Sequence, residues 1–132
     1  MIDEFLKQSL KLRERREAYA HAIVVRHGKP ISSKPGDKAI ICRDGTMHGW
    51  IGGGCTHPVV VKEALQALQE GEPRLVAITP SGAVQPIRDF AQHPMTCHSG
   101  GALDIYIEPV LPNPLVVVMG HSPVGQSFAR LV

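Results

Sequence analysis

Residues 38–71 read KAIICRDGTMHGWIGGGCTHPVVVKEALQALQEG, and their hydrophobic period changes from that of a strand to that of a helix. Before the change, Asp44-Gly45 joins two short β-rich runs, which is typical of a β-hairpin with a tight primed turn. Three consecutive glycines, 52–54, separate the two patterns. After them, apolar residues fall on one helical face, which predicts a helix of about three to four turns: Val60, Val61, Ala64, Leu65 and Leu68.

The ends of this helix carry their own signals. Thr56 or His57 can cap its start, Pro58 suits its first turn, and Gly71 suits its end. We therefore expect the helix to begin directly after Cys55, so that the glycines and the cysteine lie at its N-terminus.

The rest of the chain extends this pattern on both sides. Ile2, Phe5, Leu6 and Leu10 have helical spacing and predict an amphipathic first helix. Residues 18–27, 73–79 and 102–110 read as strands, and 80–101 as a long irregular stretch. A loop of that length in a small domain is more often functional than not. We expect one α+β domain with a mixed or antiparallel sheet and two to three helices.

The C-terminal residues follow a different pattern. After a linker at 111–114, residues 115–132 read LVVVMGHSPVGQSFARLV, a buried strand, a glycine-containing turn and the start of a helix. This order is that of the first βα unit of a Rossmann-like domain. The three-glycine fingerprint and a second strand are absent, so we expect an incomplete unit and no NAD binding in this truncated chain.

Composition excludes several functional classes. The 132 residues are 43% hydrophobic and carry a net charge of +2, with no basic footprint for nucleic acid. The start, MIDEFLKQSL, is acidic and has no apolar stretch long enough for export or for a membrane span. We expect a cytoplasmic protein that binds neither nucleic acid nor membrane. Three cysteines are too few for a disulfide scaffold, so the thiols are expected to be reactive or buried.

The glycines before Cys55 suggest an anion site. Consecutive glycines let backbone N–H groups converge, and a helix N-terminus adds donors and positive dipole potential. Such a site favours a bound phosphate and the thiolate of Cys55, which would be a nucleophile or a metal ligand. The alternative is that the glycines only permit close packing and that Cys55 is a small core residue.

A second cysteine lies beside glycines. In MTCHSGGALD, Cys97 is close to Gly100 and Gly101 and falls in the irregular stretch rather than in an apolar run. Cys42, by contrast, lies inside the predicted strand AIICR and is expected to be structural. Two cysteine-glycine motifs favour a functional site over core packing.

These motifs, in the order SSKPGDKAIICRDGTMHGWIGGGC, helix, strand and CHSGGALDIYIEPV, resemble the N-terminal domain of the XdhC/CoxI family. Family members are maturation factors of xanthine dehydrogenase and carbon monoxide dehydrogenase. The resemblance implies a cofactor-handling domain over 1–110, an accessory carrier that binds and inserts the molybdenum cofactor. Implied partners are a cysteine desulfurase and the apo-molybdoenzyme.

The resemblance also implies site residues, with Cys55 as the position for a persulfide and Cys55 and Cys97 as tentative molybdenum ligands. Thr56 and His57 stand where the family usually has a leucine and an acid. The implied cofactor-binding residues are Ser32, Ser33, Gly52, Gly53, Gly54, Cys55, Cys97, Ser99, Gly100 and Gly101.

Other functions stay open at this point. A zinc site could use Cys55, His57, Cys97 and His98, although these spacings are tighter than usual. A thiol enzyme could use Cys55 with His57, His93 or His98 as base and Asp89 or Asp104 as orienting acid. A structural or regulatory subunit could pair with a second copy or with a separate Rossmann-like partner.

Three further side chains have competing interpretations. Trp50 is expected to pack against the hairpin rather than stack on a ligand. Arg74 and Arg88 could pair with phosphate, although solvated surface positions are the default for arginine.

Overall fold

The computed structural model describes residues 2–28, 31–80, 90–95 and 101–132. A six-stranded sheet has the order β3-β2-β1-β6-β4-β5, in which β4 and β5 pair in parallel and all other neighbours are antiparallel. The predicted α+β fold with a mixed sheet is confirmed. The elements in chain order are α1 Ile2–Glu14, β1 Tyr19–His27, β2 Lys38–Cys42, β3 Met47–Gly49, α2 Thr56–Glu70, β4 Arg74–Pro80, β5 Phe90–Met95, β6 Leu103–Val110 and α3 Pro123–Ala129.

The predicted hairpin is β2–β3, but its turn is not the two-residue primed turn. The Cys42 backbone N–H donates a hydrogen bond to the Thr46 carbonyl at 2.9 Å, so the three residues 43–45 form the loop. Gly45 takes φ +83° in that loop, and its N–H donates to the Cys42 carbonyl. A three-residue loop with glycine in the left-handed region is the next most common hairpin connection. The Thr46 N–H also donates to the Asp44 carboxylate, which stabilises this loop.

Helix α2 covers one face of the sheet and forms the main core. Val60, Ala64 and Ala67 are fully buried against residues such as Ala20 and Ile105 of the central strands. The helix begins at Thr56 and ends at Gly71, as the sequence predicts, but Cys55 occupies the cap position. Thr56 and His57 are not the cap, since both lie in the first turn of the helix, where their N–H groups donate to the Gly53 carbonyl.

Helix α1 packs on the opposite face, and of its predicted apolar residues only Phe5 contacts the sheet. Leu12 is buried with Tyr19 and Ile40, and the Ser9 hydroxyl hydrogen-bonds His21 Nε2 at 2.9 Å. Burial beneath the helix lowers the pKa of His21, because the charged imidazolium loses hydration there. The stripe of Ile2, Leu6 and Leu10 is exposed instead.

Strand β5 lies within the stretch that the sequence shows as irregular. Leu75 to Pro80 of β4 pair with Phe90 to Met95 in parallel register. The sequence does not predict this strand, because FAQHPM alternates poorly and contains a proline. Its place at the edge of the sheet explains why Pro94 is tolerated, since an edge strand has one free hydrogen-bonding side.

The residues after β6 stand apart from the sheet. Residues 115–119 are exposed and pair with no strand among the described residues, so the buried strand expected there is not formed. Helix α3 follows, with the Ser122 hydroxyl accepting the Gly125 N–H at 3.1 Å. The Arg16 guanidinium donates to the Asn113 carbonyl at 2.7 Å and so ties the end of α1 to the linker. Within the described ranges, no helix is both long and apolar enough to span a membrane.

Candidate functional site

Ser33, Gly52 and Thr56 meet at one end of the sheet. The Ser33 side chain is 0% exposed, and its hydroxyl donates to the Ile51 carbonyl at 3.1 Å. Gly52 has φ +145°, and a Cβ there would lie 3.0 Å from both the Ser33 and Thr56 hydroxyl oxygens. Only glycine fits this position without displacing one of them.

A third segment joins the same end of the sheet. The Gly28 N–H donates to the Ala102 carbonyl at 2.7 Å, and Gly101 packs beneath Ile31. A Cβ on Gly101 would lie 2.8 Å from the Gly28 carbonyl oxygen and would overlap the Ile31 side chain. The loops after β1 and β3 and the residues before β6 therefore converge.

This convergence involves several of the predicted cofactor-binding residues. The buried Ser33 and Gly101 and the partly buried Gly52 lie in these converging segments, and Ser32 is exposed beside Ser33. Cys97, Ser99 and Gly100 lie outside the described residues. The cofactor-binding role of the whole set stays a prediction.

Gly53 and Gly54 form the open part of the site. A Cβ on either would meet nothing within 4 Å, and both residues are exposed. Neither N–H group makes a backbone hydrogen bond within the described part of the chain. In the first turn of α2, by contrast, the Gly53 carbonyl accepts the N–H groups of Thr56 and His57, and Pro58 has no N–H.

Cys55 follows these glycines at the N-cap of α2, half-buried and in a disulfide bond. Its predicted thiolate chemistry therefore requires the reduced protein. Cys42 is a free cysteine on β2, as predicted, and burial together with Asp44 and Glu17 raises the pKa of its thiol. A raised pKa disfavours the reactive thiolate at Cys42.

The three glycines are expected to differ sharply on substitution. Gly52→Ala should lower the free energy of unfolding by about 1–3 kcal/mol, because it forces a side chain into a strained, crowded conformation. Gly53→Ala and Gly54→Ala should stay within about 1 kcal/mol of the original chain, since their surroundings are open. Urea unfolding of the three variants measures this contrast, and equal losses at all three positions would contradict it.

The residues proposed for a thiol enzyme are placed elsewhere or fall outside the described structure. Asp104 is buried and accepts Arg26 Nε at 2.6 Å. His93 donates to Glu63. Glu63 lies eight residues after Cys55 on α2, which separates the two by about 12 Å along the helix axis. His57 is exposed near the glycines. Asp89 and His98 are not among the described residues.

Metal and phosphate ligands were also predicted from single side chains. No group of three or more histidine, cysteine or acidic side chains within the described ranges could hold a metal ion. Two members of the zinc set, Cys97 and His98, lie outside those ranges. Arg74 is neither solvated nor free for phosphate, because it is half-buried and paired with Glu63 and Glu70. Arg88 is not described.

Trp50 lies on the α1 side of the sheet. Its side chain is half exposed and lines a groove of about 660 Å³ together with Phe5 and Ile40. The backbone N–H of Trp50 donates to the Lys38 carbonyl at 3.1 Å, which continues the pairing of β3 with β2.

A buried glutamate forms an ion-pair network that the sequence pattern does not predict. Glu63 on α2 is 4% exposed, and its two oxygens accept Arg74 Nε and His93 Nε2, each at 2.7 Å. Burial raises the pKa of Glu63, but the hydrogen bonds and charges of Arg74 and His93 outweigh it, so the net shift is downward. The only sequence signal was a glutamate among the apolar residues of α2. The network joins α2 to β4 and β5.

Comparisons with known proteins place the fold. The uncharacterized protein YqeB of Escherichia coli (strain K12) is 29% identical over 125 residues, which cover 93% of this chain and 21% of YqeB. A crystal structure described as a xanthine dehydrogenase from Bacillus halodurans matches with a TM-score of 0.60 and 20% identity. That match covers 95% of this chain and 33% of the other, and at this identity it shows the fold alone.

A family model gives the assignment. The model for the XdhC and CoxI family matches residues 12–79, from the buried end of α1 through β4. This range contains the glycines at 52–54 and Cys55, and it ends before Cys97. Since the match spans 68 of the 132 residues, the chain belongs to the XdhC and CoxI family.

Proposed function

We propose that this chain supplies the cofactor-holding part of a maturation factor for a xanthine dehydrogenase or carbon monoxide dehydrogenase type of enzyme. Family membership supports the maturation role. The molybdenum cofactor is carried rather than used, and it passes to the apo-molybdoenzyme in the cytoplasm. The chain spans 33% of the matched crystal structure and 21% of YqeB.

The observation that carries this proposal is the open glycine surface before α2. A molybdopterin-type cofactor brings a phosphate, and phosphate is bound well by exposed backbone N–H groups beside a helix N-terminus. Gly53 and Gly54 offer two such groups with no side chain in the way. Directly before these glycines, Gly52 packs against Ser33 and Thr56. The residues present therefore fit an anionic cofactor.

Cys55 supplies the soft group of the proposed site. In the reduced protein its thiol would stand at the N-terminus of α2, where positive dipole potential favours a thiolate. A thiolate suits a soft metal centre, and it also accepts sulfane sulfur from the persulfide of a cysteine desulfurase, whose own thiolate is released. The bound cofactor would supply the metal and its dithiolene, and this chain would orient and protect them.

Binding of isolated molybdenum cofactor to the reduced chain tests the proposal. We expect nearly one molybdenum per chain to co-elute with the original protein and with Cys42→Ser, and most of it to be lost with Cys55→Ser. Cys42→Ser is the matched control, because Cys42 lies on β2, away from the glycines. Molybdenum analysis of the eluted protein gives the ratio.

A second variant separates the glycine surface from the cysteine. Gly54→Val should fold, since nothing lies within 4 Å of its Cβ position, yet it should retain several-fold less cofactor because the side chain blocks the amides. No molybdenum in the original chain would overturn the proposal that this domain suffices. Full retention in both Cys55→Ser and Gly54→Val would overturn the proposed site.

A further inference from the structure

An apolar stripe on α1 is more than half exposed, although Ile2 at its end also borders the groove beside Trp50. Ile2, Leu6 and Leu10 are 52%, 55% and 58% exposed, although they repeat every four residues along one side of the helix. The side of α1 that packs on the sheet is formed by Phe5, Ser9 and Leu12. An ordered row of large apolar side chains in water marks an interaction surface.

We infer that α1 pairs in antiparallel orientation with α1 of a second copy of this chain. Leu6 lies midway between Ile2 and Leu10, so a two-fold axis beside Leu6 lays the two rows side by side in opposite directions. Rows at a spacing of four residues interdigitate in the most common class of helix packing, at a crossing angle of about −50°.

The charges of α1 favour its own copy over an unrelated apolar helix. The first turn carries Asp3 and Glu4, and the last turn carries Lys11 and Arg13. Antiparallel pairing brings the acidic end of one helix towards the basic end of the other, and it also opposes the two helix dipoles. The same helix therefore supplies both halves of a complementary surface, which is the requirement for an isologous dimer.

Cysteine cross-linking tests this geometry directly. A two-fold axis at Leu6 brings residue 6 of both copies together, so Leu6→Cys should form a disulfide-linked dimer under mild oxidation. Lys7→Cys, one residue further round the same exposed helix, should cross-link several-fold less. The original chain under the same oxidant gives the background from its three cysteines. Equal cross-linking at positions 6 and 7 would overturn the inferred axis.

Sedimentation tests the interface without a covalent bond. We expect the original chain to sediment at twice its 14.3 kDa and Leu6→Lys to sediment as a monomer. Val117→Lys is the control, because Val117 belongs to the other exposed apolar segment and should leave the dimer intact. A monomeric original chain, or a dimer lost only with Val117→Lys, would overturn the inference. These readouts do not depend on cofactor.

Discussion

Glu63→Ala is expected to lower the free energy of unfolding by about 3 kcal/mol. The substitution leaves Arg74 and His93, both partly buried, without the carboxylate that bonds each at 2.7 Å. Removing one member of a buried ion pair costs about 3–5 kcal/mol, and we expect the lower end because Arg74 keeps Glu70. Urea unfolding at neutral pH measures the loss.

The same network predicts a pH dependence. The folded state lowers the pKa of Glu63, so the unfolded state binds a proton more readily. The stabilisation is fully present well above the unfolded value of about 4.3, and it is lost as the pH falls through that value towards the folded pKa. Glu63→Gln should remove this part of the acid sensitivity. Urea unfolding at several values between roughly pH 3 and 7 measures it, because that range contains both protonation states of the carboxyl group.

Glu70→Gln is the matched control for Glu63. Glu70 bonds the same arginine at 2.8 Å but is exposed and lies four residues from it. Exposed pairs contribute about 0–1 kcal/mol, so this variant should scarcely change the urea midpoint. If Glu63→Ala were as mild as Glu70→Gln, the buried network would not stabilise the link between α2 and the sheet.

Gly101→Ala is expected to lower the free energy of unfolding by about 1–3 kcal/mol through overpacking. The new methyl group would lie 2.8 Å from the Gly28 carbonyl oxygen and would overlap Ile31. Because the backbone oxygen cannot move as a flexible side chain does, the loop after β1 has to shift. Thermal or urea unfolding gives the change.

A double variant distinguishes overpacking from other effects of the substitution. Ile31→Ala should partly rescue Gly101→Ala, because it removes the side chain that the new methyl group overlaps. Gly53→Ala, placed in open space, is the control for adding a methyl group to a glycine of the same site. A Gly101→Ala protein as stable as the original, or no coupling to Ile31, would contradict this account of the convergence.

Most elements could be predicted because their periods are local. The apolar run at 18–27, the alternation in 102–110 and the helical spacing after Cys55 each identify an element without reference to the rest of the chain. Strand β5 could not be found in this way, because its extended form depends on pairing with β4. The sequence likewise predicts a turn at Gly45 but not its length, because the length depends on which residues of β2 and β3 pair.

The site was predictable only in part. The glycines and Cys55 stand together in the sequence, so their position before α2 followed from the helix signals. The contact of Gly101 with Ile31 joins loops 70 residues apart, and no local pattern reports it. Likewise, Glu63 appeared as one polar residue in an apolar helix until β5 brought His93 to it.

The central position of β6 has a consequence for how the chain folds. β6 separates β1 from β4, and its pairing with β1 joins residues more than 75 positions apart, from Tyr19 with Val110 to His27 with Leu103. The meander of β1–β3 can form early, but β1 and β4 keep open edges until β6 arrives. Pairing at such separation slows folding and exposes strand edges to other chains in the meantime. During synthesis, completion of the sheet must therefore wait for the last of its strands to leave the ribosome.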